Sequence, residues 1–492
     1  MPGILLTLSI GQGNVHAMTP DPLWKGRIAG GPDPAFFAFQ RSLPYDARLL
    51  PQDLAVNAAW ARALGRAGLL TSEETARLVA AIEDLGRTLQ PADAAKRDEE
   101  DVHTLVEAEL TQRLGDLGRK IHRGKSRNDQ VATDLRLWTA EAASAIVRDA
   151  RALAAALAGR AEEWLGAGHV VPGYTHLQQA EPVLAAHWAL AHVEALRRDA
   201  RRLAQVREAA LAACPLGAAA LSGTPAAIDR LALAKDLGFA APAANSIDAV
   251  SDRDFALGFL HAAHLFLVHA SRLAEDLLLF STIEFGWVRL PDAFTTGSSA
   301  LPQKRNADAC ELARGRAART LGRYVSLGAT LRALPSGYNK DLQEDKEGVF
   351  DAFDSAHGVA HALTGTVKGL ALDARRARAS LGGWILAAEL TERLAATGLP
   401  FRDAYAAVAR AVQTLDGNSG VDGAKERRME DLSAKEWHSL GPEFTPEVTG
   451  GLTLDAAVAR RAATGGTAPA RVAEALADVR HWLATEARDG RA

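Results

Sequence analysis

Between Val131 and Ala158 the chain has no glycine or proline, and Val131, Leu135, Trp138, Ala142, Ile146, Leu153 and Leu157 recur at steps of mostly three and four. This periodicity predicts one long helix with an apolar stripe. Val183 to Ala213, Ser251 to Thr282, Asp308 to Leu334 and Gly348 to Leu370 repeat the alanine-rich, strand-poor pattern, although glycines at 315, 322 and 328 weaken the fourth. At ~1.5 Å per residue such segments build a bundle ~40 Å tall. Apolar stripes on elements this long usually need more than one chain to cover them, so an oligomer is expected. The flanks, to about Lys125 and from about Ser380, read as shorter helices punctuated by Gly and Pro. The predicted fold class is therefore all-α, with a helical domain over 1–126, a central long-helix bundle over 127–378 and a small helical domain over 379–492.

Composition narrows the functional classes. With 492 residues, 48% hydrophobic and 24% charged, the chain can bury a large core. A formal net charge of -4 argues against nucleic acid as a partner, and Arg197-Arg198-Asp199-Ala200-Arg201-Arg202 reads as a solvated helix face. Cys214 and Cys310 are too few and too far apart for a disulfide framework or a cysteine metal cluster, which fits a reducing cytoplasm. No apolar run reaches the ~18–20 residues of a membrane span. Residues 1–17 imitate a secretory signal but lack its positively charged start, and the expectation is that Met18 is the natural or an alternative start. Gly11-Gln12-Gly13 hints at a dinucleotide loop, with His16 in place of the third glycine.

Five polar stretches exceed what packing requires. Thr296 to Asn306, TGSSALPQKRN, sets two hydroxyls on a glycine-loosened loop before Lys304 and Arg305. A serine is a poor base unless nearby positive charge stabilises its alkoxide, so this order suits proton abstraction. Composition alone would make it a solvated loop with a basic end. Gly124 to Gln130 precedes the first long helix, whose free N–H groups and dipole suit a carboxylate, helped by Arg127 and Asn128; the plain alternative is an N-cap by Ser126, Asn128 or Asp129. Pro172 to Gln178 displays Thr175 and His176 on a turn between helical segments, and a histidine can deliver a proton to a nitrogen leaving group. In Tyr338 to Glu347, Gln343 and Lys346 share a helical face and would hold a zwitterionic group, the ordinary alternative being a charged helix start. Asn245 to Asp254 is dense in caps and reads as structural support.

Taken in order, GKSRNDQVATDLRLW, PGYTHLQQAEP, NSIDAVSDRDF, EFGWVRLPDAFTTGSSALPQKRNADACEL and LPSGYNKDLQEDKE resemble the corresponding stretches of the argininosuccinate lyases of the fumarase/aspartase superfamily. Weaker similarity in LWKGR, RSLPYD, EDVHTLVE and GGTAP extends the resemblance from about Leu23 to Pro469. It implies an all-helical, three-domain subunit in a cytoplasmic homotetramer whose active sites are shared between subunits. It further implies cleavage of argininosuccinate to arginine and fumarate, the last step of arginine biosynthesis, with no metal or organic cofactor. Carried over by position, Ser298 and His176 match the catalytic pair, Lys304 the lysine near the developing charge, and Glu311 the acid that orients the histidine. Asn128, Thr175, Asn306, Tyr338, Gln343 and Lys346 match substrate-holding residues, with Ser126 and Arg127 beside them at the helix start. Both assignments of base and acid to Ser298 and His176 stay open.

The sequence also departs from the family pattern. Leu301 stands at a methionine position, and Val56-Asn57 replaces the usual Gly-Ser, placing an amide where a ligand-contacting hydroxyl is usual. Arg123, Lys125, Gln179, Glu181 and Ala307 replace Thr, Arg, Arg, Gln and Pro. Another fumarate-releasing carbon-nitrogen lyase acting on an N-substituted aspartate, and a non-catalytic structural homologue, are the alternative readings.

Overall fold

A computed structural model of the chain describes residues 32–416 and 428–489. The signal-like segment, Met18 and the Gly11-Gln12-Gly13 stretch lie outside the described residues. The chain forms two compact units, one of Met1–Trp138, Ala212–Ser251 and Ser336–Lys346, the other of Thr139–Leu211, Asp252–Pro335 and Glu347–Ala492.

In the first unit, α1 (Leu50–Arg66) packs on α2 (Ser72–Thr88) and on α3 (Val102–Leu114). A capping box starts α2: Thr71 Oγ1 accepts from the Glu74 N–H at 3.1 Å, and the Glu74 carboxylate accepts from the Thr71 N–H at 2.9 Å. The long helix α4 runs over Arg127–Gly166, 40 residues and ~60 Å, and all seven positions of its predicted apolar stripe are buried.

In the second unit, α5 (Ala185–Leu211), α6 (Asp254–Ser281) and α7 (Asp308–Leu331) have 27, 28 and 24 residues, matching the ~40 Å expectation. α6 packs along both neighbours through Phe255, Phe259, Phe266, Leu273 and Leu277, all buried. α7 stays continuous through its three glycines because Gly315 and Gly322 face open space, where the absent side chain leaves no hole. α8 (Glu344–Lys368) begins a turn earlier than its apolar pattern predicts. A smaller group follows: α9 (Ala387–Ala396), α10 (Phe401–Asp416), α11 (Leu454–Arg460) and α12 (Pro469–Asp489). Its electrostatic centre is Glu389, 1% exposed, whose carboxylate accepts from Arg393 Nε at 2.9 Å and from Arg460 and Arg461 at 2.7 Å each. No described helix is long and apolar enough to cross a membrane.

The stretch that reads as a turn around His176 is a β-hairpin. β1 (Val170–Thr175) pairs antiparallel with β2 (Gln178–Leu184), with Pro172 opposite Pro182 and Thr175 opposite Gln178. His176 and Leu177 form the two-residue loop with φ of 55° and 57°, the left-handed values that a type I′ connection demands. Histidine tolerates that region better than most residues, whereas leucine is strained there, and such strain persists where the surroundings over-determine it. Beneath the hairpin, Tyr174 packs against Phe285 and Trp287, and Trp287 stacks on Phe280 with ring centroids 4.7 Å apart.

Gly365 near the end of α8 and Gly369 just past it leave room for the ring of Phe294 and for Pro291 in the segment entering the Ser298 loop. A Cβ at Gly365 would overlap the Phe294 ring. Gly365→Ala is therefore expected to lower stability by about 1–3 kcal/mol despite alanine's better helix propensity. A urea midpoint equal to or above that of the unaltered chain would show that Phe294 moves aside freely.

Candidate active site

The Ser298 loop is closed at its neck. Thr296 and Asn306 exchange backbone hydrogen bonds, Thr296 N–H to Asn306 O at 3.2 Å and Asn306 N–H to Thr296 O at 2.8 Å. Thr296 Oγ1 donates to Asp308 Oδ2 at 2.5 Å, and the Asn306 amide reaches Gly297 O at 3.3 Å. Within the loop, Ser298 Oγ accepts from the N–H groups of Leu301 at 3.1 Å and Ala300 at 3.3 Å. Two N–H dipoles aimed at one oxygen favour its alkoxide over an unassisted hydroxyl.

The two cations at its end have separate tasks. Arg305 donates to Leu290 O at 2.9 Å and pairs with Asp292 at 2.5 Å, which anchors the loop. Lys304 is exposed, and its ammonium has no hydrogen bond or ion pair among the described residues. Of the two cations, only Lys304 has its charge unengaged among the described residues. Glu311 projects from the first turn of α7, exposed, and His176 and Thr175 are exposed on the hairpin. Among the described residues no hydrogen bond or ion pair joins His176 to Glu311 or to Ser298.

Of the substrate-holding candidates, Thr175 and Asn306 lie in the second unit and the others in the first. Ser126 caps α4: its Oγ accepts from the Asn128 N–H at 3.3 Å, and Asp129 Oδ1 accepts from the Ser126 N–H at 2.9 Å. Asp129 Oδ2 also accepts from the N–H groups of Gly217 at 2.9 Å and Ala219 at 2.8 Å, and the Asn128 amide donates to Ala220 O at 3.1 Å. The helix start and the 217–220 turn are thus one structure. Arg127 is turned toward α3, donating to Thr104 Oγ1 at 2.9 Å and pairing with Asp101 at 3.3 Å. These bonds brace α3, and Ser126 serves as a cap of α4.

Tyr338 packs on Ala218, Ala243, Ala249 and Val250. Gln343 ends a 3-10 turn over Lys340–Gln343, and the α-helix begins only at Glu344, so Gln343 and Lys346 do not share one regular helical face as the spacing predicts. Lys346 is buried, with its ammonium 2.8 Å from Asp345 Oδ1 and 3.4 Å from Leu342 O, while Gln343 is half-buried. In Asn245 to Asp254 the expected support is found: Asn245 Oδ1 accepts from the Ile247 and Asp248 N–H groups at 2.9 and 3.2 Å.

Below the α4 start lies a buried polar network that the sequence reading missed. His103 Nδ1 donates to Asp53 Oδ1 at 2.8 Å and lies 3.5 Å from Asp134 Oδ2. Gln130 Nε2 donates to Asp53 as well, and Lys125 Nζ donates to Asn57 Oδ1 at 2.5 Å and to Gln130 Oε1 at 3.0 Å. The Asn57 amide donates to Asp53 O at 2.8 Å and Asp53 Oδ2 at 2.9 Å. Asn57 is 2% exposed, with both ends of its amide engaged inside the network. Burial raises the Asp53 carboxyl's pKa, but His103, Lys125 and Gln130 outweigh it and hold the group ionised below its usual range. Burial and the Asp53 carboxylate push Asp134 well above its own. Burial also pulls the Lys125 ammonium down, against Asp53, Glu107, Asp129 and Asp134. Asp53, His103 and Asp134 offer ligand atoms within 4.8 Å of one another. The Lys125 charge lowers both of these carboxyls.

Asp129 couples this region to pH. Burial pushes its carboxyl up to about 6, although the N–H groups of Ser126, Ala219 and Gly217 and the Lys125 charge oppose the shift. Between the usual 3.8 and about 6 the folded chain keeps a proton that the unfolded chain has released, so this group's contribution to stability falls as pH rises through that window and is flat above it. In Asp129→Asn the decline in melting temperature from about pH 4 to about pH 6 should be shallower than in the unaltered chain. An unchanged slope would assign that dependence to other carboxyls, such as Asp46, which burial and Asp101 also raise to about 6. The two cysteines are inert by contrast: burial pushes Cys214 up to about 12 and Cys310 up to about 11.

Comparison with known proteins gives the arrangement its family. Residues 26–322 match the lyase family, and residues 384–459 match the argininosuccinate lyase C-terminal family. The argininosuccinate lyase of Acidothermus cellulolyticus is 47% identical over 476 residues, 94% of this chain and 94% of that protein. The chain belongs to the argininosuccinate lyase family. The Thermus thermophilus argininosuccinate lyase is 44% identical over 93% of this chain and 98% of that protein. Among solved structures, an EDDS lyase in complex with formate superposes with a TM-score of 0.76 at 24% identity, covering 94% of this chain and 93% of that one. The fold is that of the fumarase/aspartase superfamily, helical with a few short strands.

Five of the departures from the family pattern have structural accounts. Lys125 and Asn57 meet at 2.5 Å inside the buried network, so the two changes serve one another. Gln179 donates to Ser380 O at 2.6 Å and accepts from the Gly382 N–H at 2.7 Å, and Glu181 pairs with Arg461 at 2.9 Å. Both tie the strand after His176 to the C-terminal helices. Ala307 caps α7 with φ of -86°, near the value proline would impose.

Proposed function

We propose that the chain cleaves argininosuccinate to arginine and fumarate, the reaction of its curated relatives' name, as the last step of arginine biosynthesis. The observation that carries this reading is Ser298 Oγ held by two backbone N–H groups on a loop with a free ammonium at Lys304, in a chain 47% identical to an argininosuccinate lyase. Ser298 takes the proton from the methylene carbon that lies next to a carboxylate and one carbon away from the departing nitrogen. The electron pair first moves into the neighbouring carboxylate, giving an aci-carboxylate with two negative charges. Lys304, Asn306 and the N–H groups at the start of α4 with Asn128 supply the preorganised donors that such an intermediate needs. Collapse of the intermediate breaks the carbon–nitrogen bond, the pair goes to the guanidino nitrogen, and His176, oriented by Glu311, protonates it. Thr175, Tyr338, Gln343 and Lys346 hold the substrate's polar ends, and the Ser298 loop closes over it to exclude water. No step requires a metal or organic cofactor.

The working form in this reading is a cytoplasmic homotetramer with each site built from several subunits and each subunit in three domains. Two features support sharing: His176 and Glu311 find no partner in each other within one chain, and Leu321 and Val325, four residues apart on α7, are 44% and 58% exposed. Purified protein given argininosuccinate should release fumarate, read as rising ultraviolet absorbance, and a dissociated monomer should not. Silence toward argininosuccinate with turnover of another N-substituted aspartate would overturn the substrate, and silence toward all such adducts would favour a structural homologue.

A further inference from the structure

The C-terminal helical group, with Glu181 of β2, lines a half-open cavity of about 780 Å³, within the ~300–1,000 Å³ range of small-ligand pockets. It is separate from every residue given a role in the reaction. One wall is apolar and comes from α10, where Phe401, Tyr405, Val408 and Val412 recur at steps of three and four; Phe401 and Tyr405 are 50% and 57% exposed. Large aromatic side chains half in solvent on the wall of a concave site are poised for a flat or apolar partner.

The opposite lining carries charge of both signs. Arg460 donates from Nη1 to the buried Glu389 carboxylate, which fixes the guanidinium in place, and among the described residues no bond engages its Nε or Nη2. Glu392 is exposed, lines the same cavity and has no hydrogen bond or ion pair among the described residues. Arg461, by contrast, is fully engaged between Glu389 and Glu181, each paired by a different guanidinium nitrogen. One immobilised cation and one carboxylate with spare capacity therefore face a cavity with an aromatic wall. A ligand bearing only an anion or only a cation would leave one of them unmatched.

We propose that this cavity is a binding site for a zwitterionic α-amino acid with an apolar or aromatic side chain. Its carboxylate pairs with Arg460, its ammonium with Glu392, and its side chain lies on Phe401 and Tyr405. The site does not depend on the activity proposed above, because calorimetry reads occupancy in a protein that turns over nothing.

The test is a calorimetric titration of the assembled protein with L-phenylalanine as probe, beside phenylacetate and phenethylamine, each of which lacks one of the two charges. Saturable binding of L-phenylalanine is expected, with both analogues at least tenfold weaker. Tyr405→Ala and Glu392→Gln change exposed side chains and should leave the fold intact. The first should weaken L-phenylalanine at least tenfold, and the second should erase its advantage over phenylacetate. No saturable heat with L-phenylalanine, equal binding of the singly charged analogues, or binding unaltered in both variants would each overturn the proposal.

Discussion

Replacing Ser298 by alanine should lower the rate of fumarate formation by roughly 10²- to 10⁴-fold, the range for loss of a general base, which corresponds to ~3–5 kcal/mol of transition-state stabilisation. The reason lies in the loop backbone as much as in the hydroxyl. With Oγ removed, the N–H groups of Ala300 and Leu301 lose their acceptor and no other side chain on the loop stands at that point. Ser299, one residue on and exposed, accepts no such pair, so Ser299→Ala should retain most activity. The fold should survive, because the loop is held at its neck by Thr296 and Asn306 and at its base by Arg305 with Asp292, none of which touches Ser298 Oγ. Steady-state kinetics on both variants, with circular dichroism to confirm the helices, decides the matter. If Ser298→Ala turns over at more than about a tenth of the normal rate, too fast for a lost general base, the base is elsewhere and His176 becomes the first candidate.

What could be read from the amino acids alone follows the range of the interactions. The long helices were legible because their stripes repeat every three to four residues over six or more turns, so no single exception, such as the glycines of α7, outweighs the pattern. The hairpin was read as a turn because Pro172 and Pro182 interrupt the alternation that marks a strand, and only their pairing across the sheet makes sense of both. The polar loops stood out because a local packing argument leaves their composition unexplained. The buried network did not, since its bonds join residues 50 apart, as His103 to Asp53, or 77 apart, as Gln130 to Asp53. Isolated in sequence, each of those side chains looks like surface polarity on a helix. Ser126 and Arg127 carry contacts that their place beside a motif does not announce: one caps its own helix and the other bonds to Thr104 of α3.

That network is also where a single change should cost the most stability. Asp53 is fully buried and serves as acceptor for His103, Gln130 and Asn57, while its charge offsets that of Lys125. Asp53→Ala removes the acceptor and leaves three buried donors and an ammonium with less compensation, a situation that typically costs about 3–5 kcal/mol. The loss is larger than a cavity of the same size would cause, because Lys125 must then lose its proton or draw in water. Its consequence reaches the candidate site through residues at the start of α4: Lys125 and Gln130 flank Ser126 and Asn128, so release of the network loosens the helix start that bonds to the 217–220 turn. The urea midpoint should therefore fall, and KM for argininosuccinate should rise more than kcat falls. Asp53→Asn, which keeps an acceptor but not the charge, should lie between the two. Equal stability of Asp53→Ala and the unaltered chain would mean that water replaces the carboxylate at little cost, and that the network positions groups without holding the fold.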